Sequence, residues 1–296
     1  MKILIAYDGS DCADGAIEDL SRAGLPDDTE ALILTASETW LPKDFENESF
    51  VKTVGWTGAE NIKQMRQAAV EKVAEGDKLA EDASRRVREK FPAWQVWHKA
   101  VGGFAEWEIV AEANESKPDL IVIGSHGRGG VGRFILGSVS LKVLSEAACS
   151  MRVARQSVAR AADDDSPLRI IIGFDGSPDS LNAVESVLSR RWLPETSMRL
   201  ISAVEALPYS ILLAELPKAE ELREAAAAKL KAQGLHVSTV VEFGRAKNVI
   251  VEEAEKWRAD SIFIGAKGHR WMERVMLGSV SYAVAARAAC SVEVVR

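Results

Sequence analysis

Cysteine is scarce: the 296 residues hold three, Cys12, Cys149 and Cys290, with no two close together. That leaves neither a disulfide framework nor a zinc-ligand spacing. Long apolar runs are missing as well. The opening segment, residues 1–7, meets Asp8 and Gly9 too early to form a signal-peptide core or a membrane span, and no later stretch is longer. No membrane is expected as a partner, and the cytoplasm is the expected compartment. Basic charge is not in excess either. A net charge of −7 argues against a broad nucleic-acid-binding face, which needs clustered cations to neutralise phosphates. What remains is an ordinary globular composition, 47% apolar and 27% charged. Domains run to about 100–200 residues each, so the length suggests two.

The two are copies of one another. ILIAYDGS at 3–10 matches IIIGFDGS at 170–177, and LGSVS at 136–140 recurs letter for letter at 277–281. The offset between copies is 167 at Asp8/Asp175 and at Glu38/Glu205, then 141 at Gly124/Gly265 and at Cys149/Cys290, so the first copy carries 26 additional residues. They fall between 39 and 93, in a loop rich in Trp, Phe and charge followed by a stretch from Ala59 to Phe91 that reads as a long helix. Its apolar stripe is predicted at Ile62, Met65, Ala69, Val73 and Val87. The expected domains are 1–155 and 168–296, joined by a linker at 156–167 whose Asp163-Asp164-Asp165-Ser166-Pro167 combines charge, a turn former and a helix breaker.

Within the first copy, apolar runs near 2–7, 31–36, 94–101, 119–124 and 151–155 alternate with helical patterns near 11–23, 59–90, 104–116 and 138–148. This order predicts an α/β fold of two tandem doubly wound domains, each an open five-stranded parallel sheet flanked by helices. The last run of each copy, 151–155 and 291–296, partly alternates polar with apolar. Such runs read as edge strands with one wet or partner-facing side, and the two edges can pair with each other into an intramolecular pseudo-dimer. Two chains could then associate further as a homodimer.

Ligands of such sheets collect beyond the carboxyl ends of the strands, where strand order reverses. Asp8 and Asp175 stand there as acceptors for an amino group or hydroxyl, or, in the plainer alternative, as parts of an Asp-Gly-Ser turn that caps the next helix at Ser10 or Ser177. The loops 124–138 and 265–279 bring glycines that admit a pyrophosphate close to the backbone. Ser138 and Ser140, with Ser279 and Ser281, offer hydroxyl donors, and Arg128, Arg133, Lys267, Arg270 and Arg274 offer nearby cations. The GxGxxG spelled by 127–132 is not the dinucleotide fingerprint, because it follows the fourth strand and the second copy keeps only Gly268 of it. No Walker A ending and no Gly-x-Ser-x-Gly elbow occurs, and Asp8 has no second carboxylate beside it to complete a Mg²⁺ site. His126 and His269 lie in the loops, where an isolated histidine is more often a surface residue than a catalyst.

On these motifs the chain resembles the universal stress proteins of the UspA type, in their tandem form. The motif Gly-x2-Gly-x9-Gly-Ser/Thr of that family is met by Gly124, Gly127, Gly137 and Ser138, and again by Gly265, Gly268, Gly278 and Ser279. The resemblance implies a Rossmann-like fold of the adenine nucleotide alpha hydrolase type and ATP as ligand, with or without Mg²⁺. It implies contacts from Ala6, Tyr7, Asp8, Ala36, Gly124, Gly127, Arg128, Gly137, Ser138, Val139 and Ser140 in the first copy. In the second it implies Asp175, Ala203, Gly265, Gly268, Gly278, Ser279, Val280 and Ser281. The first site ranks above the second, which has Trp271, Met272 and Glu273 in its loop. Three functions stay open: an ATP-binding stress or signalling protein without strong catalysis, a weak ATPase of the same fold, and a nucleotide-free interaction module acting through the 40–57 loop.

Overall fold

The computed structural model describes residues 1–39, 55–127, 136–155, 167–205, 209–268 and 277–296, with the side chains of 55–63 and 209–216 also left aside. Outside these lie Arg128, Arg133, His269, Arg270, Arg274, the Trp271–Glu273 stretch, linker residues 156–166, and 40–54 of the first copy's loop.

The strands are β1 (Lys2–Ala6), β2 (Glu30–Ser37), β3 (Gln95–Gly102), β4 (Leu120–Gly124), β5 (Ser150–Ala154), β6 (Arg169–Gly173), β7 (Ser197–Val204), β8 (His236–Phe243), β9 (Ser261–Gly265) and β10 (Ser291–Val295). The helices are α1 (Asp11–Asp19), extended by a 3₁₀ turn at Leu20–Arg22, α2 (Gly55–Lys90), α3 (Ala105–Ser116), α4 (Ser138–Glu146), α5 (Pro178–Leu188), α6 (Tyr209–Ala232), α7 (Ala246–Trp257) and α8 (Ser279–Arg287). Each copy pairs its strands in parallel, in the order 3-2-1-4-5 and its repeat. Parallel pairing follows from the helical crossovers, and burial on both faces explains why LIVIG of β4 is apolar throughout.

Instead of two separate open sheets, one sheet of ten strands runs through the molecule in the order β3-β2-β1-β4-β5-β10-β9-β6-β7-β8. β5 and β10 close the gap as an antiparallel pair, with Arg152 opposite Glu293. Of the two readings of these strands, a wet side or a partner-facing one, the pairing bears out the second: Arg152 and Glu293 are fully buried. Arg152 Nε and Nη2 donate to Asp19 at 2.6 and 3.2 Å, and Nη2 donates to Ser261 Oγ at 2.8 Å. Ser291 Oγ donates to Asp19 Oδ1 at 2.8 Å, and Arg190 pairs with Glu293. Burial alone would drive Arg152 towards neutrality; Asp19 and Glu293 outweigh it and raise its pKa.

This charged set marks a seam on one face only. There α1 and α2 cover a core containing Ile3, Ile17, Ala83 and Val87, and α5 and α6 cover a separate core containing Ile170, Val184 and Leu230. On the opposite face α3, α4, α7 and α8 share one core that crosses from the first copy into the second, from Ile109 and Val143 to Ile250 and Val284. The long helix departs from its expected stripe. Val87 is buried and Ala69 nearly so, but Met65 is 46% exposed and Val73 only half-buried, because the helix's 36 residues overrun the sheet they pack on.

Candidate functional site

Each first strand ends in a turn with glycine at positive φ, Gly9 at 74° and Gly176 at 79°, a conformation that costs a residue with a Cβ. The turn aims the preceding aspartate at the next helix. Ser10 N–H and Oγ–H donate to Asp8 Oδ1 at 3.0 and 2.6 Å, and Ser10 Oγ accepts from Ala13 N–H at 3.2 Å as the N-cap of α1. Ser177 repeats this on Asp175 and caps α5 just ahead of Pro178. The two aspartates thus hold the capping serines, and they do so through Oδ1. Oδ2 turns to the loop: a Cβ on Gly127 would stand 3.0 Å from Asp8 Oδ2, and one on Gly268 would stand 2.7 Å from Asp175 Oδ2.

The other motif glycines also answer to packing. A Cβ on Gly124 would meet the Cys12 carbonyl oxygen at 2.7 Å, and one on Gly265 would meet the Asp179 carbonyl carbon at 2.5 Å. These two glycines let a helix N-terminus press against a strand end. Gly137 and Gly278 sit as uncapped N-caps of α4 and α8, their N–H groups donating to Ser125 O and Ala266 O at 2.8 Å. The N–H groups that follow them are the bare amides of a helix start.

In the first copy the Asp8 turn, the glycine loop and the end of β2 enclose a cavity of about 770 Å³. Ligand pockets typically measure about 300–1,000 Å³. It lies beyond the carboxyl ends of β1, β2 and β4, where the strand order reverses. Every described residue proposed for the first site lines it: Ala6, Tyr7, Asp8, Ala36, Gly124, Gly127, Gly137, Ser138, Val139 and Ser140. Two of them have their hydroxyls engaged elsewhere. Ser140 Oγ–H donates to Gly124 O at 2.8 Å, as Ser281 does to Gly265 O at 2.6 Å, so these serines tie helix to strand. Tyr7 donates to Asp14 at 2.6 Å, and burial, with Asp14 beside it, pushes the phenol up to about 12.

Sequence reasoning missed one wall. Lys72, Glu75, Gly76 and Leu79 of α2 close the cavity beside β2. Gly76 brings the helix in: a Cβ there would be 2.5 Å from Ser37 Oγ, which donates to Lys72 O at 2.9 Å. The available signal was a glycine inside a helix, where it costs about 1 kcal/mol against alanine and so points to a close approach. Two buried polar atoms of residues lining the cavity, Thr35 Oγ1 and His126 Nε2, have no hydrogen-bond partner among the described residues. Burial and the nearby Arg155 hold the His126 imidazole below its ordinary pKa, so it is neutral at pH 7. Among the described residues no His, Cys, Asp or Glu cluster is arranged to hold a metal, and no helix is long and apolar enough to cross a membrane.

The profile of the universal stress protein family matches this chain twice, at 1–155 and 168–296. The chain belongs to that family. A universal stress protein of Mycobacterium tuberculosis is 31% identical over 186 residues, 60% of either chain, and one of Bacillus subtilis is 29% identical over 156 residues, 52% of this chain and 98% of its own. The chain thus spans about 60% of the mycobacterial relatives it matches. Among solved structures, a universal stress protein of Archaeoglobus fulgidus superposes with a TM-score of 0.62 at 20% identity, covering 100% of this chain and 98% of its own. A protein of unknown function from Pseudomonas aeruginosa gives 0.60 at 18%, covering 99% and 92%. At those identities the structures share the fold alone. In the second copy of this universal stress protein, Ala203 and Val280 are half-buried against the shared core, and Lys267 N–H donates to Asp179 Oδ2 at 2.9 Å.

Proposed function

We propose that this universal stress protein is a cytoplasmic ATP-binding protein, its nucleotide held in the first copy and bound for signalling and not for turnover. The observation that carries this is the cavity beyond β1, β2 and β4, which unites the Asp8 turn with the glycine loop and holds Thr35 Oγ1 and His126 Nε2, both without a hydrogen-bond partner among the described residues. The base and ribose would lie between Asp8 and Ala36, and the phosphates along Gly127, Gly137 and the first amides of α4. A Mg²⁺ ion would arrive on the phosphates, since no cluster of His, Cys, Asp or Glu among the described residues is arranged to hold one. Binding would act as a switch only through unequal affinity for two conformations.

Calorimetric titration of ATP into the wild type and into Gly137→Val tests this. A Cβ at Gly137 would already stand 3.3 Å from Ser125 O and 3.4 Å from His126 Cα, so valine should displace the loop and abolish binding. No ATP binding by the wild type would overturn the proposal, and sustained phosphate release that disappears in Gly137→Val would make the protein an ATPase instead.

A further inference from the structure

The offset of 167 that pairs Asp8 with Asp175 also pairs Thr35 with Ser202 and Tyr7 with Phe174. Both hydroxyl residues stand near the end of the second strand of their copy, one position before Ala36 and Ala203. In the second copy the hydroxyl is used within the protein: Ser202 Oγ–H donates to Phe174 O at 2.7 Å. In the first copy Thr35 lines the cavity, and its Oγ1 is buried with no hydrogen-bond partner among the described residues. Most buried hydroxyls in native proteins are paired, because an unpaired one is destabilising.

The helix α2 distinguishes the two positions. It belongs to the segment between 39 and 93 in which the first copy has its 26 additional residues. It crosses β2 at Gly76, where a Cβ would stand 3.3 Å from Thr35 Cγ2. Thr35 is 3% exposed beneath it, whereas Ser202 is only half-buried. The helix thus meets the methyl of Thr35, and no described residue partners the hydroxyl. Tyr7, Gly76 and Leu79 line the cavity with Thr35. An apolar wall carrying one placed polar group suits the flat faces and polar edge of a nucleobase. Asp8, the carboxylate at that end, has Oδ1 on Ser10 and Oδ2 against Gly127, so the amino group of an adenine needs another acceptor.

We propose that Thr35 is a specificity-determining residue of the first copy: its hydroxyl accepts from the exocyclic amino group of adenine, and α2 keeps water from that contact. This rests on the nucleotide assignment above. A site built around a buried polar group rejects an analogue that lacks the matching group far more strongly than an apolar pocket rejects a missing methylene.

The test is calorimetry on the full chain, with thermal unfolding of the ligand-free protein beside it. Thr35→Val, close in shape but without the hydroxyl, should weaken ATP binding by about fivefold or more and 2′-deoxy-ATP by the same factor. Its affinity for purine ribonucleoside triphosphate, which lacks the amino group, should stay within about twofold of the wild type. The ligand-free variant should melt higher than the wild type, because an unpaired hydroxyl has left the interior; a hydroxyl with a merely structural role would lower the midpoint. Thr35→Ser should keep the ATP affinity within about threefold. Unchanged ATP affinity in Thr35→Val overturns the proposal, as does a lowered midpoint or an equal loss for purine ribonucleoside triphosphate. A loss for ATP that 2′-deoxy-ATP does not share moves the contact to the ribose and overturns it too, and equal losses in the two Thr35 variants assign the effect to shape. If Thr35→Val does not fold, the wild type decides: equal affinity for ATP and purine ribonucleoside triphosphate overturns the proposal. A wild type that binds no ATP overturns the nucleotide assignment itself.

Discussion

Replacing Arg152 by methionine removes the cation that, among the described residues, touches both carboxylates at the seam between the copies. The side chain is fully buried, as are Glu293 and, to within 5%, Asp19. In the variant Asp19 keeps the Ser291 hydroxyl and Glu293 keeps Arg190, but the charge between them is gone. Breaking a buried ion pair from one side costs about 3–5 kcal/mol, because the remaining charge stays desolvated, whereas replacing all members by apolar groups of like volume is often neutral or stabilising by about 1–4 kcal/mol. Urea unfolding followed by circular dichroism and tryptophan fluorescence should show a loss of about 3–5 kcal/mol in Arg152→Met, since the seam is as dry as a domain core. Most of it should return when Asp19→Ser, Arg190→Met and Glu293→Met are added. A single-variant loss below about 1 kcal/mol, the range of exposed pairs, would refute the burial of the network, and so would a quadruple variant as unstable as the single. The same charges give the pairing its direction. Arg152 and Glu293 occupy equivalent repeat positions and face each other across the seam, so two first copies would set Arg152 against Arg152.

The remaining predictions concern titration and the cavity wall. His126 binds its proton less readily folded than unfolded, so its contribution to stability is present above its ordinary pKa of 6.5 and is lost as pH falls below it; an NMR titration should place the His126 midpoint below 6.5, moving up when ATP is added. An unmoved midpoint would detach His126 from the ligand. The Cys290 thiol is pushed up to about 12 by burial, so folding is favoured below the ordinary thiol pKa and weakened between about pH 9 and 12, where only the unfolded chain ionises. Cys290 should accordingly react with a thiol reagent at pH 8 only on unfolding, and a fast reaction in the native protein would contradict its burial. Gly76→Val should force α2 off Ser37 and weaken ATP binding about tenfold or more with the sheet cores intact, as judged by calorimetry beside urea unfolding. Retained affinity would show that α2 is no part of the site.

How much of this was legible depended on how local each cause is. The strands were readable to within a residue or two because β1, β4, β6 and β9 are short buried runs between turn formers, and Ser10, Ser177 and Pro178 announce their helices in adjacent residues. The glycine loop was legible for the same reason: its spacing is fixed within one strand-turn-helix unit. The polar alternation of β5 and β10 was visible, but whether Arg152 faced water or a partner depended on Asp19, 133 residues away, and on Glu293, 141 residues away. The stripe of α2 failed at Met65 because periodicity reports which residues share a face and says nothing of where the sheet beneath that face ends. The difference between the copies had the same origin. Trp271, Met272 and Glu273 drew attention because they interrupt the motif itself, whereas Asp179 stands in α5, 88 residues before Lys267, in a favourable first-turn position that gives no hint of the loop it reaches. A repeat exposes such residues once the fold superposes its copies: with the scaffold held constant, each position where the copies differ at a shared contact is where they have stopped being interchangeable.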